Sequence, residues 1–104
     1  MGSVSDRSVE QVRALVAAIP FGRVATYGDL AAIAGLSTPR LVGWIMRTDG
    51  SDLPWHRVIG VAGKPAAHLR TRQLATLADE GVPITDGRVQ MDTARLSAAE
   101  LSAL

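Results

Sequence analysis

The stretch Thr26-Tyr27-Gly28-Asp29-Leu30-Ala31-Ala32-Ile33-Ala34-Gly35-Leu36-Ser37-Thr38-Pro39-Arg40-Leu41-Val42-Gly43 decides the fold. Thr26 is a good helix N-cap, and Asp29 places a carboxylate in the first turn, where the helix macrodipole favours it. Gly35 supplies the stop. After Leu36, either Ser37 or Thr38 can cap the next helix, with Pro39 near its first position, where a missing amide hydrogen costs nothing. Leu41, Val42, Ile45 and Met46 give that helix a buried side. Two short helices separated by a few residues including Gly35 form a helix-turn-helix pattern, which by pattern alone points to base reading in the major groove.

Upstream, Ser8-Val9-Glu10-Gln11 reads as a capping box. Val9, Val12, Leu15, Val16 and Ile19 then share one helical stripe, so a core-packing helix is predicted to end before Pro20. Phe21-Gly22 is turn chemistry, and Val24-Ala25 a short extended stretch. Downstream, residues 48–53 are polar and loop-like, Val58, Ile59 and Val61 extended, and Gly63-Lys64-Pro65 a turn. A helix over 70–80, with Leu74, Leu77 and Ala78 on its apolar side, is closed by Gly81. From Thr85 the sequence predicts a strand around Val89 to Met91, a Ser97-Ala98-Ala99-Glu100 capping box, and a tail prone to fraying.

With 104 residues and 47% hydrophobic content, the chain is read as one domain, with its core over about 8–84 and a tail over 85–104. No run of about eighteen apolar residues exists, and Asp6, Arg7, Glu10 and Arg13 interrupt the first twenty, so neither a signal peptide nor a membrane span is expected. The chain contains no cysteine, which excludes disulfides and thiolate metal sites. The net charge of +1 is unevenly spread. In residues 1–39 Arg7, Arg13 and Arg23 balance Asp6, Glu10 and Asp29. In residues 40–72, six cations (Arg40, Arg47, Arg57, Lys64, Arg70, Arg72) face only Asp49 and Asp52, net +4. The last third, 73–104, sets Arg88 and Arg95 against five acids, net −3. A basic middle third is the footprint expected on a phosphate backbone, although such asymmetry also arises without nucleic acid.

That basic third contains Pro54-Trp55-His56-Arg57-Val58, which resembles the Pro-Cys-His-Arg-Val active-site motif of the O6-alkylguanine-DNA alkyltransferases, with tryptophan in place of the nucleophile. Four further blocks occur in the family's order: 19–24, 26–31, 39–43 and 79–81. The tryptophan version is similar to the alkyltransferase-like proteins. The resemblance implies an α+β, mostly helical fold, the alkyltransferase C-terminal domain with a winged helix-turn-helix-like unit, without the additional N-terminal domain that the alkyltransferases usually carry. It also implies that no alkyl transfer occurs, because transfer needs a thiolate and an indole has none.

The residue roles follow from the same resemblance. Arg40 falls on the intercalating arginine finger, and Tyr27 on the tyrosine that helps rotate the target nucleotide. DNA contacts are expected from Tyr27, Thr38, Pro39, Arg40, Gly43 and Arg47, placed in the minor groove. Tyr27, Met46, Trp55, Val58, Ala67, His68 and Arg70 are expected to form the lesion pocket, with His68 or Arg70 as its cation. Ala31 and Gly43 permit close approach of backbone, or equally close helix packing. Trp55 would present a flat apolar wall to the extruded base, or else fill the vacated site. His56 and Glu80 match the relay that activates the family's cysteine, and are expected to persist as a buried polar pair. Arg57 is read as structural, and Trp44 as a departure from the family that widens the DNA contact or packs on the loop.

The expected function is recognition of O6-alkylguanine in duplex DNA by nucleotide flipping, with hand-over to nucleotide excision repair proteins. No catalytic residue, metal or cofactor is expected. The expected state is a monomer off the membrane, in the cytoplasm of a bacterium beside its nucleoid, or in a eukaryotic nucleus. Two rival readings fit the same residues: a sequence-specific helix-turn-helix transcription factor, and a glycosylase-type enzyme.

Overall fold

A computed structural model describes residues 5–104. Helix α1 (Asp6–Ala18) is capped by Ser5, whose hydroxyl accepts the Ser8 amide at 3.1 Å. It therefore starts before the Ser8-to-Gln11 pattern: Ser5 takes the cap, and Ser8 falls inside the first turn. Val12 and Val16 bury its inner face, and the chain leaves the helix at Ile19, ahead of Pro20.

Strand β1 (Ala25–Thr26) runs parallel to β2 (Val58–Ile59), pairing Ala25 with Val58 and Thr26 with Ile59. Val61 lies beyond β2 in an exposed turn. The pairing fixes the start of helix α2 (Tyr27–Ala34) against the Trp55 segment. At that start the Thr26 hydroxyl accepts the Asp29 amide at 2.9 Å, and the Asp29 carboxylate accepts the Thr26 amide at 3.1 Å, a closed capping box. Gly35 ends α2 with φ of 68°, the left-handed conformation that glycine adopts without steric cost. Thr38 then caps α3 (Pro39–Asp49), which packs its buried Val42 and Ile45 against α1 and α2. This is the expected helix-turn-helix.

Beyond α3, a 3₁₀ turn over Trp55–Arg57 precedes β2, and a second over Ala67–Leu69 leads into α4 (Arg70–Asp79). Strands β3 (Ile84–Thr85) and β4 (Arg88–Val89) form a hairpin through Asp86 and Gly87, with φ of 53° and 73°. Two left-handed residues are what a tight two-residue hairpin needs. Gln90 caps the short helix α5 (Met91–Ala94), so the strand stops at Val89 and Met91 is helical. Helix α6 (Ala98–Ser102) has the expected Ser97–Glu100 capping box.

The C-terminal segment does not behave as a fraying tail. Leu96 and Leu101 are 3% and 1% exposed and share one core with Val12, Leu30, Ala31 and Ile45. Val24 bridges to Arg95, and the Arg95 guanidinium meets the Asp29 carboxylate at 2.7 Å. The core thus extends past residue 84, because two leucines and an ion pair tie the end of the chain to α1 and α2. Among the described residues no helix is long and apolar enough to cross a membrane, and no cluster of His, Asp and Glu could hold a metal ion.

Candidate functional site

A groove of about 760 Å³ opens between the start of α2, the exposed face of α3, the Trp55 turn and the segment entering α4. Tyr27, Pro39, Arg40, Gly43, Met46, Arg47, Trp55 and His68 line it, together with Ala66, Leu69 and Arg72. The capping box sets Tyr27 at the first position of α2, and Pro39 and Arg40 open α3. Along α3, positions 39, 40, 43, 46 and 47 follow helical spacing, so one face supplies five lining residues while Val42 and Ile45 stay in the core. A Cβ at Gly43 would make only an ordinary contact, 3.5 Å from the Arg47 guanidinium, so the fold itself does not require glycine on this face.

Most residues singled out from the sequence meet in this groove, and some do not. Val58 is 1% exposed in β2 and belongs to the core, because its strand pairing turns it inward. Thr38 does not line the groove; its hydroxyl accepts the Arg40 amide at 3.3 Å. Ala67 and Arg70 line a different depression, with Lys64 and the Asp86–Arg88 turn, so His68 rather than Arg70 reaches the groove. Ala31, 4% exposed, packs inside the helical core. Trp44 is 47% exposed and does not line the groove. The sequence reading missed Ala66, Leu69 and Arg72 as lining residues. Helical geometry could have found Arg72, since side chains two positions apart on α4 diverge by about 200° and Arg70 and Arg72 must face apart.

The electrostatics divide the site in two. The Arg72 guanidinium carbon sits 5.4 Å from the centroid of the Trp55 ring, a cation–π contact inside the groove. Burial raises the Tyr27 phenol above its ordinary 10.0, with Arg47 pulling the other way, so Tyr27 keeps its proton as a hydrogen-bond donor. Behind Trp55, the His56 Nε2 and the Glu80 carboxylate lie 2.6 Å apart, and because an ionised carboxylate only accepts, His56 is the donor. Glu80 also accepts from the Gly22 amide at 3.0 Å and from the Arg57 guanidinium at 2.9 Å. Arg57 further donates to the Ile19 carbonyl and lies 5.7 Å from the Phe21 ring centroid.

Burial opposes ionisation of Glu80, but Arg57, Gly22 and His56 outweigh it and hold the carboxyl at about 2. With side chains 15%, 7% and 17% exposed, His56, Glu80 and Arg57 form a closed ionic cluster that pins the Trp55 turn to the loop after α1 and the end of α4. The groove residues include no serine, threonine, lysine or carboxylate; Tyr27 and His68 are the lining side chains that carry a nucleophilic atom.

The family model for the DNA-binding domain of 6-O-methylguanine DNA methyltransferase matches residues 8–82. The chain is 41% identical over 96 residues to a DNA base-flipping protein of Escherichia coli, covering 86% of this chain and 73% of that one. It is 36% identical over 86 residues to alkyltransferase-like protein 1 of Schizosaccharomyces pombe, covering 76% and 80%. Among solved structures, S. pombe Atl1 in complex with damaged DNA containing O6-carboxymethylguanine superposes with a TM-score of 0.76 at 30% identity, covering 91% of this chain and 99% of that one. The Mycobacterium tuberculosis O6-methylguanine methyltransferase superposes with a TM-score of 0.61 at 29% identity, over 75% of this chain and 50% of that one. The groove and the ionic cluster behind it both fall within the matched residues, and the chain belongs to the family defined by the 6-O-methylguanine DNA methyltransferase DNA-binding domain.

Proposed function

We propose that this protein is a non-enzymatic reader of O6-alkylguanine in duplex DNA. The observation that carries this reading is Trp55 standing in the wall of the groove, beside Tyr27 and Arg40, in a chain with no cysteine. The fold of an alkyl-transfer family is kept and its acceptor is missing, so the groove is fitted to hold a base and not to change it. The relatives named a DNA base-flipping protein and the Atl1 complex with damaged DNA support it.

In this reading α3 lies along the minor groove, where the base pattern is degenerate and binding is indifferent to sequence, as a damage sensor requires. Arg40 enters the stack and takes the place of the extruded nucleotide, offsetting part of the few kcal/mol that unstacking costs. It is free to do so, being exposed and engaged in no ion pair among the described residues. The extruded base enters between Trp55 and the His68 side of the groove, with the Tyr27 hydroxyl as donor. The bound lesion is then passed to nucleotide excision repair proteins, and the protein acts as a monomer.

The test is the fate of the alkyl group. After incubation with duplex carrying labelled O6-methylguanine, the label is expected to stay on DNA with the glycosidic bond intact. Label on the protein, or free base in solution, overturns the reading.

A further inference from the structure

The ion pairs sort the cations of this chain into two sets. Among the described residues, Arg13 pairs with Asp49 and Asp52, Arg23 with Glu100, Arg57 with Glu80 and Arg95 with Asp29. Seven cations form no ion pair there, and Arg7 on α1 is one of them. The other six are not scattered. Arg40, Arg47 and Arg72 line the groove, whereas Lys64, Arg70 and Arg88 line the second depression, of about 380 Å³.

The two depressions share a wall. Ala66, His68 and Leu69 face the groove, while Lys64, Pro65, Ala67 and Arg70 face the notch. The far side of the notch is the β3–β4 turn, which lies outside the matched family residues 8–82. Arg70 reaches that turn: a Cβ on Gly87, whose φ is 73°, would meet the end of the Arg70 guanidinium, so glycine lets the arginine rest against the hairpin where it now lies. Arg70 also stands at the first position of α4, where a cation opposes the macrodipole and Leu69 gives no side-chain cap. A single carboxylate, Asp86, sits among three cations that otherwise repel one another. An arrangement with uncompensated like charge is relieved by a bound anion.

We propose that this notch is a second DNA contact, separate from the base-holding groove, in which Lys64, Arg70 and Arg88 hold a backbone phosphate and the β3–β4 hairpin serves as a wing. The proposal rests on the DNA-binding part of the reading above and not on lesion recognition. Arg70 is thereby a backbone contact.

The test compares wild type with the Lys64→Ala/Arg88→Ala double variant and with Arg88→Glu, titrating plain and O6-methylguanine duplexes of about twenty base pairs across a salt series. Each lost phosphate contact lowers the slope of log affinity against log salt by about 0.9, so the double variant is expected to lose about one to two units of slope. Affinity at low salt is expected to fall at least threefold on both duplexes, with the ratio between them unchanged. Arg7→Ala is the control, expected to leave the slope alone. Unaltered slopes in both notch variants overturn the proposal. So does an equal loss in Arg7→Ala, which would mean that only net charge matters. Absence of lesion preference in the wild type would contradict the damage reading and leave this slope test intact.

Discussion

The guanidinium of Arg72 lies over the ring of Trp55, 5.4 Å from its centroid, and both line the groove that holds Tyr27 and Arg40. The cation therefore has two roles, steadying the indole and adding positive charge to the groove. Trp55→Ala is expected to narrow the affinity gap between alkylated and plain duplex by roughly 1–3 kcal/mol, the scale of a lost base–aromatic contact. The salt slope should stay as it was. Arg72→Ala is expected to narrow the gap by a smaller amount and also to lower the slope by about one. Titration of both variants on both duplexes decides this; an equal loss on the two duplexes for Trp55→Ala would make it a structural filler.

Arg40→Ala is expected to weaken binding to alkylated duplex by about 1–3 kcal/mol, as a lost stacking contact does. Because Arg40 is exposed at the start of α3 with no ion pair among the described residues, the melting temperature should be unchanged. A fluorescent base analogue beside the lesion checks the role, and undiminished flipping in the variant excludes the finger.

Much of this site was legible in the sequence because it rests on local rules. The Thr26–Asp29 capping box, the Gly35 stop and the Thr38–Pro39 start each follow from residues within a few positions of one another, and together they aim Tyr27 and Arg40. What escaped depends on contacts distant in sequence. Nothing near Arg95 announces that it bridges to Val24 and reaches Asp29, or that Leu101 packs with Val12 and Leu30. Val58 lies within the family motif, yet its pairing with Ala25 turns it into the core. Arg70 and Arg72 were separable by the helical spacing expected over 70–80, but which of the two faces the groove depends on how α4 is set against the Trp55 turn. Ser5 and Ser8 both suit a cap, and the choice between them is made by the helix itself.

The ionic cluster sets an acid limit on stability. The Glu80 carboxyl is held at about 2 against an ordinary 4.5, so its contribution is fully present above about 4.5 and is lost as pH falls toward 2. Glu80→Ala is expected to cost about 2–4 kcal/mol at neutral pH, because it strands a largely buried Arg57. Urea midpoints between pH 2 and 6 check both statements: the difference between wild type and variant should shrink on the acid side. A constant difference would place the stabilisation elsewhere.

The C-terminal segment offers a separate check on the fold. Leu101 is 1% exposed in the helical core, and Leu101→Ala is expected to destabilise the whole domain by about 2–4 kcal/mol in a single unfolding transition. A loss under about 0.5 kcal/mol, within the range of an ordinary surface change, would show the segment to be peripheral.

Competition binding of two duplexes identical except for one O6-alkylguanine reads the central claim most directly. The alkylated duplex is expected to displace the plain one at a concentration at least tenfold lower, a difference of about 1.4 kcal/mol, in every flanking sequence tried. Equal affinity for the two duplexes, or a preference that follows the flanking sequence and ignores the lesion, would contradict damage recognition and return the helix-turn-helix to the reading of sequence.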